Sequence, residues 1–224
     1  MQNDKIKDLI HFHFLVFLWG FTSILGALIK LNSIQIVWHR MFIAYVLVGL
    51  YLLFTKRKKF IIQKKYFFQL LIAGVLISAH WVAFFYAIKI SGVSLTLSIM
   101  ASGAFITSLI EPIVFKRKFS LKELTFGLIT LIGLIIIFRS ELDQYIGMSI
   151  AFLATILSVI FTLLNSKLVK EKLSPLSITF YELFIGWVAI SVYILFDVDQ
   201  ISTLFEFSQN DIILLFILGS ICTA

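Results

Sequence analysis

Residues 36–54 read IVWHRMFIAYVLVGLYLLF, and residues 178–196 read ITFYELFIGWVAISVYILF. Superposed at an offset of 142 (178 minus 36), Ile36, Phe42, Ile43, Val46, Tyr51, Leu53 and Phe54 meet identical residues. At an offset of 145 (215 minus 70), LLIAGVLISA (70–79) lies on LFILGSICTA (215–224), with Leu70, Gly74 and Ala79 matched. The offset grows by three because the loop between the paired runs grows from residues 55–65 to residues 197–210. The first two runs are each long enough to be a membrane-crossing helix. The first stretch also holds an arginine, Arg40, among side chains suited to hydrocarbon.

Working outward, the chain supplies seven such runs, near 9–29, 35–54, 66–88, 93–115, 121–138, 147–166 and 177–196. An eighth begins at Asp211. A barrel would show segments of about ten alternating residues instead. The composition agrees: 60% of 224 residues are hydrophobic, 14% are charged, and mean hydropathy is +1.03. A soluble domain is rarely this apolar. The expected fold is an all-α integral membrane bundle. The first run, Leu9 to Ile29, exceeds a signal-peptide core and reads as a retained span.

The two offsets pair the second helix with the seventh and the third with the eighth. The repeating unit is therefore five helices. Five is odd, so the second copy enters the membrane from the opposite face, which is the inverted-repeat plan of secondary transporters. Ten helices are expected in all, with residues 1–138 as the first repeat and 139–224 as the second, ending in the eighth helix.

Ser120-Leu121-Lys122-Glu123 forms a capping-box pattern for the fifth helix. Ser174-Pro175 supplies an N-cap and a first-turn proline for the seventh. Ser91-Gly92 separates the third from the fourth. Lys30, Lys89 and Arg139 lie alone on one side, whereas every other Lys and Arg except Arg40 falls on the N-terminal side. The positive-inside rule places the N-terminus in the cytoplasm, with the chain spanning the plasma (inner) membrane. Topology thus accounts for the net charge of +7. A nucleic-acid partner would need a basic patch on a soluble face.

Several motifs follow one another in order. They are Trp19-Gly20, His39-Arg40, Trp81-Val82-Ala83-Phe84-Phe85-Tyr86-Ala87-Ile88 with Ser91, and Glu111-Pro112 with Lys116-Arg117-Lys118 and Gly127. Cys222-Thr223-Ala224 follows in the second repeat. In this order the chain resembles the EamA-type branch of the drug/metabolite transporter superfamily. The resemblance implies ten helices in two inverted repeats, transport of small metabolites such as amino acids without ATP, and in some members a homodimer. Many members carry an acidic residue soon after the fourth helix's proline region. Here that stretch is basic, so no role is carried to it.

Arg40 has two readings. It snorkels to the headgroups, since five residues from Gln35 is about 7.5 Å of helix. Alternatively, it binds a substrate carboxylate in a hydrated path. Trp19, Trp81 and Tyr86 are candidates to stack on the substrate, or are packing residues. Glu182 is the repeat counterpart of Arg40 and a candidate proton carrier or gate. His80 is a second proton-coupling candidate, though a lone histidine in a bundle is more often a packing residue. Pro112 is a candidate hinge, and Glu111 an interfacial ion-pair partner. Thr155, Ser158, Thr162 and Asn165 form a polar stripe on the sixth helix.

No metal or cofactor is expected, since one cysteine forms neither a disulfide nor a multi-cysteine metal site. HExxH, GxSxG and P-loop patterns are missing, which disfavours an intramembrane enzyme and a primary pump. A scaffold or partner subunit is the remaining alternative to a transporter.

Overall fold

The computed structural model describes residues 2–55 and 62–224. The basic cluster Lys56–Lys59 lies outside them. The described helices are α1 (Gln2–Leu28), α2 (Ser33–Thr55), α3 (Phe67–Met100), α4 (Gly103–Phe115), α5 (Leu121–Ser140), α6 (Tyr145–Lys170), α7 (Pro175–Leu195), α8 (Val198–Thr203) and α9 (Gln209–Ser220). Among the described residues six stretches are long and apolar enough to cross a membrane, the longest being Lys64–Met100.

That longest stretch is two spans. At Gly92 the backbone has φ 80° and ψ 166°, a region essentially reserved for glycine. Before it, Tyr66 and Leu70 pack on Leu168 of α6, and His80 bonds the Ala154 carbonyl. Beyond it the order along α6 inverts. Ile99 packs on Met148, Met100 meets Thr155, and Phe115 lies under the Lys170 ammonium. The chain therefore doubles back at Gly92, at the Ser91-Gly92 break expected from sequence. The second limb and α4 together fill the expected span 93–115. They are joined through a tightened turn at Ala101–Ser102, where Ser102 N–H bonds the Ile99 carbonyl.

Side-chain capping explains four of the helix starts, those of α2, α5, α8 and α9. Asn32 and Gln35 exchange side-chain and backbone bonds at the head of α2. Ser208 and Asp211 form a full capping box at α9, which the sequence reading began at Asp211 itself. The expected box at α5 is only half made. Ser120 accepts from Glu123 N–H, but the Glu123 carboxylate goes to Arg117 at 2.7 Å. At α7, Pro175 opens the helix as expected, yet the Ser174 side chain makes no capping bond. The short α8 interrupts what the sequence reads as a loop. Asp197 caps it by accepting from Gln200 N–H.

The core gathers Ile36, Val37, Met41, Phe85, Leu183 and Leu218 from α2, α3, α7 and α9. Two glycines let helices touch backbone to side chain. A Cβ on Gly74 of α3 would stand 2.8 Å from Ile185 Cβ and 3.0 Å from the Glu182 carbonyl oxygen of α7. A Cβ on Gly219 of α9 would stand 2.8 Å from Ile43 Cβ and 3.2 Å from the Arg40 carbonyl oxygen of α2. Between α2 and α7 an aromatic seam closes the crossing. Tyr45 and Trp187 lie 5.3 Å apart, flanked by Phe42–Trp187 at 5.8 Å and Tyr45–Phe184 at 5.6 Å. α1 and α5 turn most of their apolar side chains outward, as lipid-facing helices do.

Candidate functional site

Arg40 is buried, 4% exposed, in the second turn of α2. Its guanidinium carbon sits 3.7 Å from the centroid of the Trp81 ring on α3 and 5.7 Å from that of Phe85. Trp81 and Phe85 are four residues apart and so share one helix face. Arg40 Nε donates to Thr223 Oγ1 at 2.7 Å, and Nη2 reaches the Cys222 carbonyl at 3.5 Å. Nη1 has no protein partner among the described residues. No carboxylate among them stands within ion-pair distance of Arg40. The arrangement holds a cation by stacking and by neutral acceptors, with donors left over. Stacking of this kind contributes about 0.5–2 kcal/mol, well short of the several kcal/mol that burying a charge costs. An anion with two oxygens matches the unfilled donors.

Glu182, 3% exposed, lies on α7 against α6. Its Oε2 accepts from Asn165 Nδ2 at 3.0 Å. Its Oε1 is buried without a partner, as is Asn165 Oδ1. The sequence placed Asn165 in a polar stripe but gave no sign of this pairing. A carboxylate so placed is costly when ionised, and a proton or a cation relieves it.

The other expected residues are dispersed. His80 is buried, with Nδ1 donating to the Ala154 carbonyl at 2.8 Å and its ring between Phe84 and Phe161. It ties α3 to α6, in line with the packing reading. Tyr86 stands on an adjoining face of α3, where it lines a cavity of about 940 Å³ that neither Arg40 nor Trp81 borders. Trp19 is 59% exposed on α1 and is not among the groups around Arg40. His39 bonds the Gln35 carbonyl of its own helix and packs against Phe205 and Phe207. Pro112 is buried within α4, and the tightened turn at Ala101–Ser102 lies before the start of that helix, not at the proline. Glu111 pairs with Arg117 at 3.3 Å, the expected interfacial ion pair. Hydrogen bonds to Glu123 and then Glu111 hold Arg117 above the ordinary arginine range. Among the described residues no cluster of side chains suits a metal ion.

Antiparallel apolar helices around inward-facing charges define a multi-pass helical membrane protein. Within that class the chain belongs to the EamA-like transporter family, whose model matches residues 9–139, from α1 to the end of α5. It is thus a transporter of the drug/metabolite superfamily type, with small molecules as substrates, and the family's members are transporters rather than enzymes. No curated protein and no solved structure matches the chain.

Proposed function

We propose that the protein is a secondary transporter that moves small anionic or zwitterionic metabolites, such as amino acids, across the plasma membrane by alternating access. Arg40 takes the substrate carboxylate, and Trp81 offers an aromatic wall beside it. The observation that carries this reading is the buried Arg40 guanidinium, which has unfilled donors and, among the described residues, no carboxylate within ion-pair distance. Glu182 serves as the coupling group. Its bare Oε1 takes a proton in one state and gives it up in the other, with Asn165 steadying the remaining oxygen.

Alternating access asks for two halves related by inversion. The reciprocal glycine contacts support that reading, because adding 145 to Gly74 gives Gly219, and subtracting 142 from Ile185 and Glu182 gives Ile43 and Arg40. Gly74 meets Ile185 and Glu182, and Gly219 meets Ile43 and Arg40. The Tyr45–Trp187 contact joins two residues that are themselves counterparts at the first offset, as expected on a local two-fold axis. The family match over α1 to α5 fits a first repeat of 1–138. Lysines at 64, 65, 167, 170 and 172 share the end of the bundle where α2 stops, which supports a cytoplasmic N-terminus.

The test is counterflow of radiolabelled amino acids in proteoliposomes, comparing parent, Arg40→Ala and Glu182→Gln. Substrate-specific flux lost in Arg40→Ala supports the assignment. Full flux in both variants moves the site elsewhere. No flux for any metabolite with a well-folded parent favours a scaffold.

A further inference from the structure

The large cavity that Tyr86 lines has a polarity gradient of its own. It runs between the head of α2, the first limb of α3 and the end of α7. Along α3 its wall extends from Lys89 to Val75, fourteen residues or about 21 Å of helix. At the deep end the lining is apolar, with Val75, Val82 and Ile190. At the rim stand Lys30 and Lys89, together with the N-terminal end of α2, whose dipole also favours an anion. No Asp or Glu is among the lining residues.

The nearby Asp211 offsets part of this charge, acting electrostatically on both lysines, but two ammoniums against one carboxylate leave the rim net positive. Its carboxylate accepts from the Lys30 backbone N–H and from the backbone and hydroxyl of Ser208. Lys89 donates one bond to the Ile29 carbonyl, which fixes its ammonium at the end of α1 and leaves two donors. The wall is open to the surroundings. Val75, Tyr86 and Tyr193 are 45%, 46% and 55% exposed, on stretches long and apolar enough to cross a membrane. Two tyrosines beside a rim of lysines is the arrangement expected at a headgroup boundary.

We propose that this cavity binds an anionic phospholipid from the bilayer, with its phosphate at Lys30 and Lys89 and an acyl chain laid along α3 against Val82 and Val75. A volume of about 940 Å³ is at the upper end for small-molecule pockets, and the charge sits at one end only. A compact polar metabolite would leave the deep apolar wall bare. A zwitterionic lipid would bring its own cation to the two ammoniums. The site is separate from Arg40, which reaches from α2 to Trp81 on an adjoining face of α3, so it stands or falls independently of the transport assignment.

The experiment measures thermal shifts of the detergent-purified full chain with phosphatidylglycerol, phosphatidylcholine of the same acyl chains, oleate and inorganic phosphate. The variants are Lys30→Gln, on an exposed side chain that leaves the fold alone, and Ala83→Trp, which fills the cavity. Lys118→Gln, in the loop after α4, is the control. Phosphatidylglycerol should raise Tm by about 3 °C or more beyond phosphatidylcholine at concentrations well above Kd. Lys30→Gln should remove at least half of that difference, Ala83→Trp should remove nearly all of it, and Lys118→Gln should keep it. Equal shifts from the two lipids overturn the proposal. So does a phosphatidylglycerol shift that survives Lys30→Gln but falls in Lys118→Gln, which would place the lipid at the opposite end. A shift with oleate or phosphate alone, sensitive to Lys30→Gln and without any lipid effect, would assign the site to a free anion instead. Should Ala83→Trp fail to fold, Lys30→Gln against Lys118→Gln decides.

Discussion

Arg40 and Glu182 occupy matching places in two similar stretches, yet their surroundings differ in kind. Arg40 stacks on Trp81 and reaches neutral acceptors near the end of α9. Glu182 faces a single amide, with one oxygen on each side of the pair left bare. Matching backbone positions thus hold opposite charges, each with bonding capacity to spare. Stability alone would favour apolar residues at both places, since a buried charge seldom repays its desolvation. Under the proposed function the difference is a division of labour, with Arg40 in one half to take an anion and Glu182 in the other to take a proton.

The strongest way to break this comparison is Arg40→Ala. Losing charge-assisted bonds of about 1.5–3 kcal/mol should weaken binding of a carboxylate substrate roughly ten- to hundred-fold, as read by isothermal titration or flux KM. An uncharged substrate analogue should be far less affected. Arg40→Lys should recover only part of the loss, because an ammonium lacks the planar fork.

Next come the paired glycines. Gly74→Ala and Gly219→Ala each push a methyl into a neighbouring Ile Cβ, and each should cost about 1–3 kcal/mol of stability by overpacking. Similar losses in a thermal melt would sharpen the equivalence of the two contacts. A loss at one glycine alone would show that the resemblance is confined to sequence.

Trp81→Leu removes the ring beneath Arg40 while keeping bulk. Substrate affinity should fall by about 0.5–2 kcal/mol, with little change in fold. The smallest effect has the opposite sign. Glu182→Gln removes a buried charge and supplies an amide to pair with Asn165 Oδ1. It should leave stability unchanged or raise it by about 1 kcal/mol, roughly 2–4 °C in Tm. In the same variant, flux should lose its dependence on a pH gradient. A pH-driven flux that persists in Glu182→Gln would take the coupling role away from this residue.

Much of the fold was legible because span length and turn residues act locally. The seven runs, the break at Ser91-Gly92 and the proline that opens α7 all depend on neighbours in sequence. The misses depend on competition. Ser120 and Glu123 have the right spacing for a reciprocal cap, but Arg117 takes the carboxylate. The α8 helix rests on one Asp197 cap inside a segment too short and mixed to announce itself. Of the site, Arg40 with Trp81 came together, whereas Tyr86 and Trp19 face elsewhere. Rotation of a helix about its axis is set by packing, and an aromatic in an apolar run carries no mark of which neighbour it will face. The Asn165–Glu182 pair joins two helices across seventeen positions and was invisible for the same reason.

The reversal at Gly92 has a consequence for how the chain enters a membrane. With no polar loop between the limbs, only Lys89 and Ser91 mark where the first stops and the second starts. Residues from Phe67 to Phe115 leave the ribosome as one largely apolar segment with Lys89 near its middle, far longer than a bilayer is thick. Such a segment has to bend back within hydrocarbon or be pushed through. The two limbs are then a single unit of insertion, committed together, and a side chain at position 92 would be felt first in biogenesis and only afterwards in the finished protein.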